Sequence, residues 1–185
     1  MITHLENYKQ GLVVHMKQIG QRQLDIVERY CVETTGSPIP LIFFTKLQAD
    51  IYRYLTEATI LNDKLTYSEK AEEKYEAARQ FYGMLIEARV MTKGDSNSTG
   101  AASADVIEAL ALSLSLNYAV FLFEQKNERK KALRVLKKQL QEALDDFDKW
   151  KPEDIPAIKQ QVELIQENIN LWKDQGVETD SEEEN

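Results

Sequence analysis

The chain has 185 residues, of which 43% are hydrophobic and 29% are charged, with only seven glycines and four prolines. This balance favours an ordered, helix-rich protein with a sizeable core over a disordered chain. The formal net charge of -8 argues against binding to nucleic acid or to an anionic membrane surface, because both need a basic face. A phosphorylated ligand is compatible with this charge if the chain builds a local basic pocket.

This sequence lacks the signals that are typical of secreted proteins, membrane proteins and several classes of enzyme. The single cysteine cannot form an internal disulfide, which is typical of a reducing compartment. The sequence shows no signal peptide and no apolar run near the length of a membrane span. It also contains no nucleotide-binding loop, zinc-ligand spacing or catalytic Ser/His/Asp pattern. We therefore expect a cytoplasmic protein that is not an enzyme and uses no cofactor or metal ion.

Hydrophobic periodicity predicts six helices and no strands. In chain order they cover about 2–34, 41–61, 68–90, 105–125, 129–150 and 155–174. Most connections are short, which favours antiparallel neighbours. The small, polar stretch 93–104 predicts a flexible loop, and the acidic run 177–185 predicts a disordered tail. The fold class is therefore an all-α antiparallel array, with residues 1–176 forming a single domain.

The second predicted helix carries a polar face opposite its apolar one. Residues separated by three, four and seven positions are neighbours on a helix surface, and here they are Lys46, Asp50, Arg53, Tyr54 and Glu57. A guanidinium beside a phenolic hydroxyl suits a phosphate monoester, which offers several acceptor oxygens. Asp50, Arg53 and Glu57 could instead form surface ion pairs worth a few tenths of a kcal/mol each. Taken alone, this face favours the ion pairs.

Two asparagines interrupt otherwise apolar helices. Asn117 lies among Leu, Val and Phe in the fourth predicted helix, and Asn168 lies beside an apolar row in the sixth. A buried amide needs hydrogen-bond partners. Each side chain could be satisfied by a neighbouring helix, or it could face a groove and hold the main chain of an extended peptide.

Three stretches, in this order, resemble the 14-3-3 protein family. The first is similar to the family's YRYLAE stretch, the second to its LGLALNFSVF helix and the third to its QLLRDNLTLW signature. In this chain they read YRYLTE (52–57), LSLSLNYAVF (112–121) and ELIQENINLW (163–172). The resemblance covers nearly the whole chain, except for residues 93–104, which look like an insertion.

This resemblance implies an all-α cup whose amphipathic groove binds extended peptides that carry phosphoserine or phosphothreonine. Arg53 and Tyr54 would hold the phosphate, and Lys46 would lie on the basic side of the groove. Asn117 and Asn168 would hydrogen-bond the peptide main chain. The apolar wall of the groove would consist of Leu116, Val120, Leu164, Leu171 and Trp172. The implied function is a phosphopeptide-binding adaptor that sequesters or reshapes client signalling proteins.

The sequence also departs from the family pattern. The family has three further helices before the first one seen here, and they supply a lysine and an arginine of the phosphate pocket and most of a dimer interface. Charged hydrogen bonds contribute about 1.5–3 kcal/mol each, so losing two would lower affinity by about two to four decades. Gly11 and His15 replace charged residues of the family's dimer contact, and Gln160 and Gln161 replace apolar ones of the groove wall. The family is homodimeric, but this chain lacks the helices that form most of the dimer interface. The alternative function is a scaffold of the same fold that binds partners independently of phosphorylation.

Overall fold

The computed structural model describes residues 2–92, 104–145 and 155–177. Within these ranges the chain is almost entirely helical and forms no strand, which confirms the all-α fold class. The helical segments are, in order, Ile2–Val27 (α1), a π-helical turn at Glu28–Val32, Pro38–Ala58 (α2), Leu61–Thr92 (α3), Ala104–Glu124 (α4), Arg129–Asp145 (α5) and Ile155–Asp174 (α6).

The described residues group into two compact units, which we call the first unit (Met1–Thr92) and the second unit (Lys93–Asn185). In the first unit, α1 and α3 both pack against α2. In the second unit, the three helices α4, α5 and α6 all pack against one another. A single domain over 1–176 stays a prediction. The predicted loop lies outside the described residues except for its last residue, and the predicted tail does so except for Val177, which is buried.

The boundary between α2 and α3 differs from the sequence prediction. The prediction began the third helix near residue 68, but α3 begins at Leu61, and only two residues separate it from the end of α2. Asn62 and Asp63 are residue types typical of a helix end, but short polar and acidic side chains are equally favourable in the first turn of a helix. The start of α2 is also earlier than predicted, because Pro38 occupies the first helical turn, where its missing N–H costs no hydrogen bond.

The first unit is held together by the faces that α1, α2 and α3 turn toward one another. Leu24 of α1 packs with Ile51 and Leu55 of α2, and the partly buried side chains against this cluster include Tyr52 and Tyr67. Another face of α1 and its π-helical turn is exposed. Its large apolar side chains are 43% to 66% exposed, and they are Leu5, Tyr8, Leu12, Met16, Ile19, Ile26 and Tyr30.

The core of the second unit is centred on α4. Tyr118, Phe121 and Leu122 of this helix are fully buried, as is Leu136 of α5. The stretch Val106–Glu124 is long and apolar enough to cross a membrane, although no such run was expected from the sequence. However, 56% of it is buried inside the protein, and the core helix of a soluble protein meets the same criteria.

Candidate functional site

The predicted binding residues fall in both units, and each set is described within its own unit. In the first unit, Lys46 and Asp50 lie one turn apart on α2, and the Lys46 Nζ is 2.8 Å from an Asp50 carboxylate oxygen. Both side chains are only 11% exposed. The other Asp50 oxygen accepts a hydrogen bond of 2.6 Å from the Tyr75 hydroxyl of α3. The lysine predicted for the basic side of the site is therefore held by a buried carboxylate.

Tyr75 connects this ion pair to Arg53. Its side chain is fully buried. Burial, followed by the negative charge of Asp50, raises the pKa of the Tyr75 hydroxyl well above its usual range, although Arg53 nearby opposes the shift. The hydroxyl therefore stays protonated at neutral pH and can donate to Asp50.

Arg53 and Tyr54 lie together, as the resemblance implies. The guanidinium carbon of Arg53 is 4.3 Å from the centre of the Tyr54 ring, and the Tyr54 side chain is half exposed. The Arg53 Nη1 donates a 2.8 Å hydrogen bond to a Glu57 carboxylate oxygen, and the Arg53 side chain is 11% exposed. Burial lowers the pKa of the guanidinium, but its contacts with Tyr75, Tyr54 and Glu57 outweigh this effect and raise the pKa above its ordinary value. Arg53 is thus a permanent cation beside an accessible phenol.

The charges of this cluster cancel. Lys46 and Arg53 each carry one positive charge, and Asp50 and Glu57 each carry one negative charge at neutral pH. Each cation is already paired with a carboxylate four residues along the same helix. A ligand anion would therefore have to share or replace one of these carboxylates. The structure thus shows ion pairs among these side chains, and their role in binding phosphate stays a prediction.

In the second unit, both asparagines are half-buried. The Asn168 Nδ2 donates a 2.8 Å hydrogen bond to the carbonyl oxygen of Leu164, one turn earlier on α6. Asn117 also has an interaction partner. The Asn168 amide still has its carbonyl oxygen to offer to a peptide N–H, because the bond to Leu164 uses only the amino group.

The residues predicted for the apolar wall differ in exposure. Leu164 and Leu171 of α6 are 42% and 54% exposed, and Leu116 and Val120 of α4 are half-buried. Trp172 is buried in the second unit, where its ring stacks on that of Phe123 with centroids 4.3 Å apart. Leu164 and Leu171 are thus accessible apolar surface, whereas Trp172 packs in the core of the second unit and does not line such a wall directly.

One residue of the first cluster was not identified from the sequence. Tyr75 follows the hydrophobic period of its helix, which indicates a core position and not a contact with charged residues. A buried tyrosine needs a partner for its hydroxyl, and that requirement is the signal that could have connected it to Asp50. In the part of the chain that the structure describes, no group of three or more His, Cys, Asp or Glu side chains could hold a metal ion.

Comparisons with known proteins identify the family of the chain. The family model described as 14-3-3 protein matches residues 1–89 and 95–173. The chain is 26% identical to 14-3-3 protein beta/alpha-A of Xenopus laevis over 95% of its own length, and 24% identical to 14-3-3 protein 7 of Solanum lycopersicum over 92%. It is 22% identical to 14-3-3-like protein 2 of Caenorhabditis elegans over 96%. The chain belongs to the 14-3-3 family and is a divergent member of it.

The match covers only part of these relatives. The chain spans 66% of the Xenopus protein, 61% of the Solanum protein and 64% of the Caenorhabditis protein. The unmatched five residues between the two family segments, 90–94, overlap the beginning of the predicted insertion at 93–104.

Proposed function

We propose that this chain is a non-enzymatic adaptor that binds phosphoserine or phosphothreonine peptides of client signalling proteins. Arg53 and Tyr54 contact the phosphate, and Lys46 adds positive charge. Asn117 and Asn168 hydrogen-bond the main chain of the bound peptide, and the apolar side chains of α4 and α6 contact its side chains. Membership of a family of adaptors supports the general role, and the single cysteine supports a cytoplasmic location.

The observation that carries the proposal is the Arg53–Tyr54 pair. Arg53 lies against the Tyr54 ring and interacts with the buried Tyr75, and a pre-positioned guanidinium loses little entropy when it binds a phosphate. The half-exposed phenol of Tyr54 offers a hydroxyl next to that cation. A phosphate oxygen that meets both groups gains a charge-assisted hydrogen bond and a neutral one.

The test is a fluorescence-anisotropy titration of a phosphoserine peptide and its unphosphorylated twin against the parent chain and two arginine variants. We expect phosphate-dependent binding that Arg53→Ala weakens at least about tenfold, the effect of losing a charged hydrogen bond worth about 1.5–3 kcal/mol. Arg22→Ala is the matched control, because Arg22 is an exposed arginine of α1 in the same unit. Equal binding by the parent and Arg53→Ala would refute the site.

The second candidate function is a scaffold of the same fold that binds partners without regard to phosphorylation. The balance of two cations and two carboxylates in the cluster favours it, because a doubly charged phosphate finds no net positive charge there. In that case both peptides bind with the same affinity, and Arg53→Ala changes neither. The same titration therefore separates the two candidates.

A further inference from the structure

We propose that Glu57 is an internal competitor for Arg53, whose carboxylate occupies the guanidinium in the free protein and limits the affinity for a phosphorylated ligand. The inference rests on the proposed phosphate site and assigns it a specificity-determining residue. A phosphate that binds Arg53 must displace this carboxylate or bind beside it.

The carboxylate of Glu57 contacts Arg53 as an anion bound to the guanidinium would. Its Oε1 accepts a 2.8 Å hydrogen bond from the Arg53 Nη1, which is the distance expected for a carboxylate or phosphate oxygen on a guanidinium. Among the described residues, Arg53 is its hydrogen-bond partner. The two residues are four apart on α2, so the helix itself delivers the carboxylate to the guanidinium.

Glu57 is also the carboxylate that can leave. Its side chain is 39% exposed, whereas the Asp50 side chain is 11% exposed and is held by both Lys46 and Tyr75. A partly exposed ion pair is weak, and the released carboxylate regains hydration. Asp50 therefore stays on Lys46, and the exchange of one anion for another takes place at Arg53.

Electrostatics makes the competition matter for a phosphate in particular. A phosphoserine carries about -1.5 to -2 charges at neutral pH, so placing it beside an ionised Glu57 adds repulsion to the loss of the ion pair. An uncharged peptide group at the same position meets neither cost. Removing the charge of Glu57 should therefore favour the phosphorylated peptide and leave its unphosphorylated twin unaffected.

The experiment measures binding of the phosphoserine peptide and its twin to the parent, Glu57→Gln, Arg53→Ala and the double variant. Glutamine keeps the size of the side chain and its helix propensity but removes the charge. The control is Glu142→Gln, which removes one negative charge from an exposed pair with Lys138 on α5 and so changes the net charge by the same amount. We expect Glu57→Gln to bind the phosphopeptide about three- to tenfold more tightly than Glu142→Gln, the range between an exposed ion pair and a charge-assisted hydrogen bond.

The outcomes separate the two proposals. Tighter phosphopeptide binding by Glu57→Gln that disappears in the double variant with Arg53→Ala supports the competition. If the parent binds the phosphopeptide selectively but Glu57→Gln binds it equally or more weakly than Glu142→Gln, Glu57 is a positioning residue and the inference is wrong while the proposed function stands. If no variant distinguishes the phosphopeptide from its twin, the proposed phosphate site fails, and the competition fails with it.

Discussion

Tyr75 shows how one hydroxyl can connect the charged residues of a helix to its neighbour. It comes from α3, it is fully buried, and it donates to the carboxylate of Asp50 on α2. A hydrogen bond to a buried charged group contributes about 1.5–3 kcal/mol. We expect Tyr75→Phe to lower the free energy of unfolding by that amount at neutral pH, measured by urea denaturation. Tyr8→Phe is the control, because the Tyr8 side chain is 66% exposed, and it should change stability by less than about 0.5 kcal/mol.

The pH dependence of the same pair follows from the raised pKa of Tyr75. Its folded-state pKa lies above the value of 10.0 that an unperturbed tyrosine has, so the folded state holds this proton more tightly than the unfolded state. The stability that the Tyr75–Asp50 hydrogen bond contributes is fully present below pH 10 and is lost as the pH rises toward the folded-state pKa of Tyr75. The parent should therefore lose stability above pH 10 more steeply than Tyr75→Phe. Parallel curves for the two proteins in alkaline buffer would contradict this assignment.

At the residue scale, sequence patterns predicted which side chains carry charge but not how the charges are shared. The spacing of Asp50, Arg53 and Glu57 on one helix favoured surface ion pairs, and the structure shows two i, i+4 pairs, Lys46–Asp50 and Arg53–Glu57, of which the first is buried. The bond from Tyr75 to Asp50 joins residues 25 positions apart. Such a contact depends on how two helices pack and is not encoded in the period of either one.

At the scale of an element, the two glycines of α1 have different physical roles that their sequence does not distinguish. A Cβ at Gly11 would meet no atom within 4 Å, whereas a Cβ at Gly20 would lie 2.9 Å from the buried Leu55 side chain of α2. Gly11→Ala should stabilise the protein by up to about 1 kcal/mol, because alanine is the better helix former. Gly20→Ala gains the same propensity but overpacks the contact with Leu55, which costs about 1–3 kcal/mol.

The two alanine variants are each other's control in a thermal or urea denaturation series. We expect Gly20→Ala to be less stable than Gly11→Ala by at least about 1 kcal/mol. Equal stabilisation by both substitutions would mean that α1 and α2 can separate at Gly20 without loss, and that the glycine does not determine their approach.

The ends of helices were predicted best where proline or glycine marks them in the sequence. The sixth helix begins and ends at the predicted residues 155 and 174, since Pro156 lies in its first turn and Gly176, with a φ of +79°, follows it in the left-handed conformation that suits glycine. The start of α3 was misplaced because Leu61 adopts a φ of +55°, which a leucine sequence does not suggest. α2 packs against α3 on either side of this turn, and single-sequence patterns contain no information about such packing.

At the scale of the whole molecule, the acidic balance of the chain would act on an anionic ligand as it approaches the proposed site at Arg53. The chain has 31 acidic and 23 basic residues, so its long-range field repels phosphopeptides with acidic flanks and attracts those with basic flanks. This field is screened by salt, since the Debye length falls from roughly 30 Å at about 0.01 M to roughly 10 Å at about 0.1 M ionic strength.

A stopped-flow comparison of two peptides with the same phosphoserine and oppositely charged flanks tests this effect. We expect the association rate to fall with salt for the basic peptide and to rise for the acidic one, because screening removes attraction in the first case and repulsion in the second. The same salt dependence for both peptides would mean that a local basic surface, and not the net charge, governs their approach to the site.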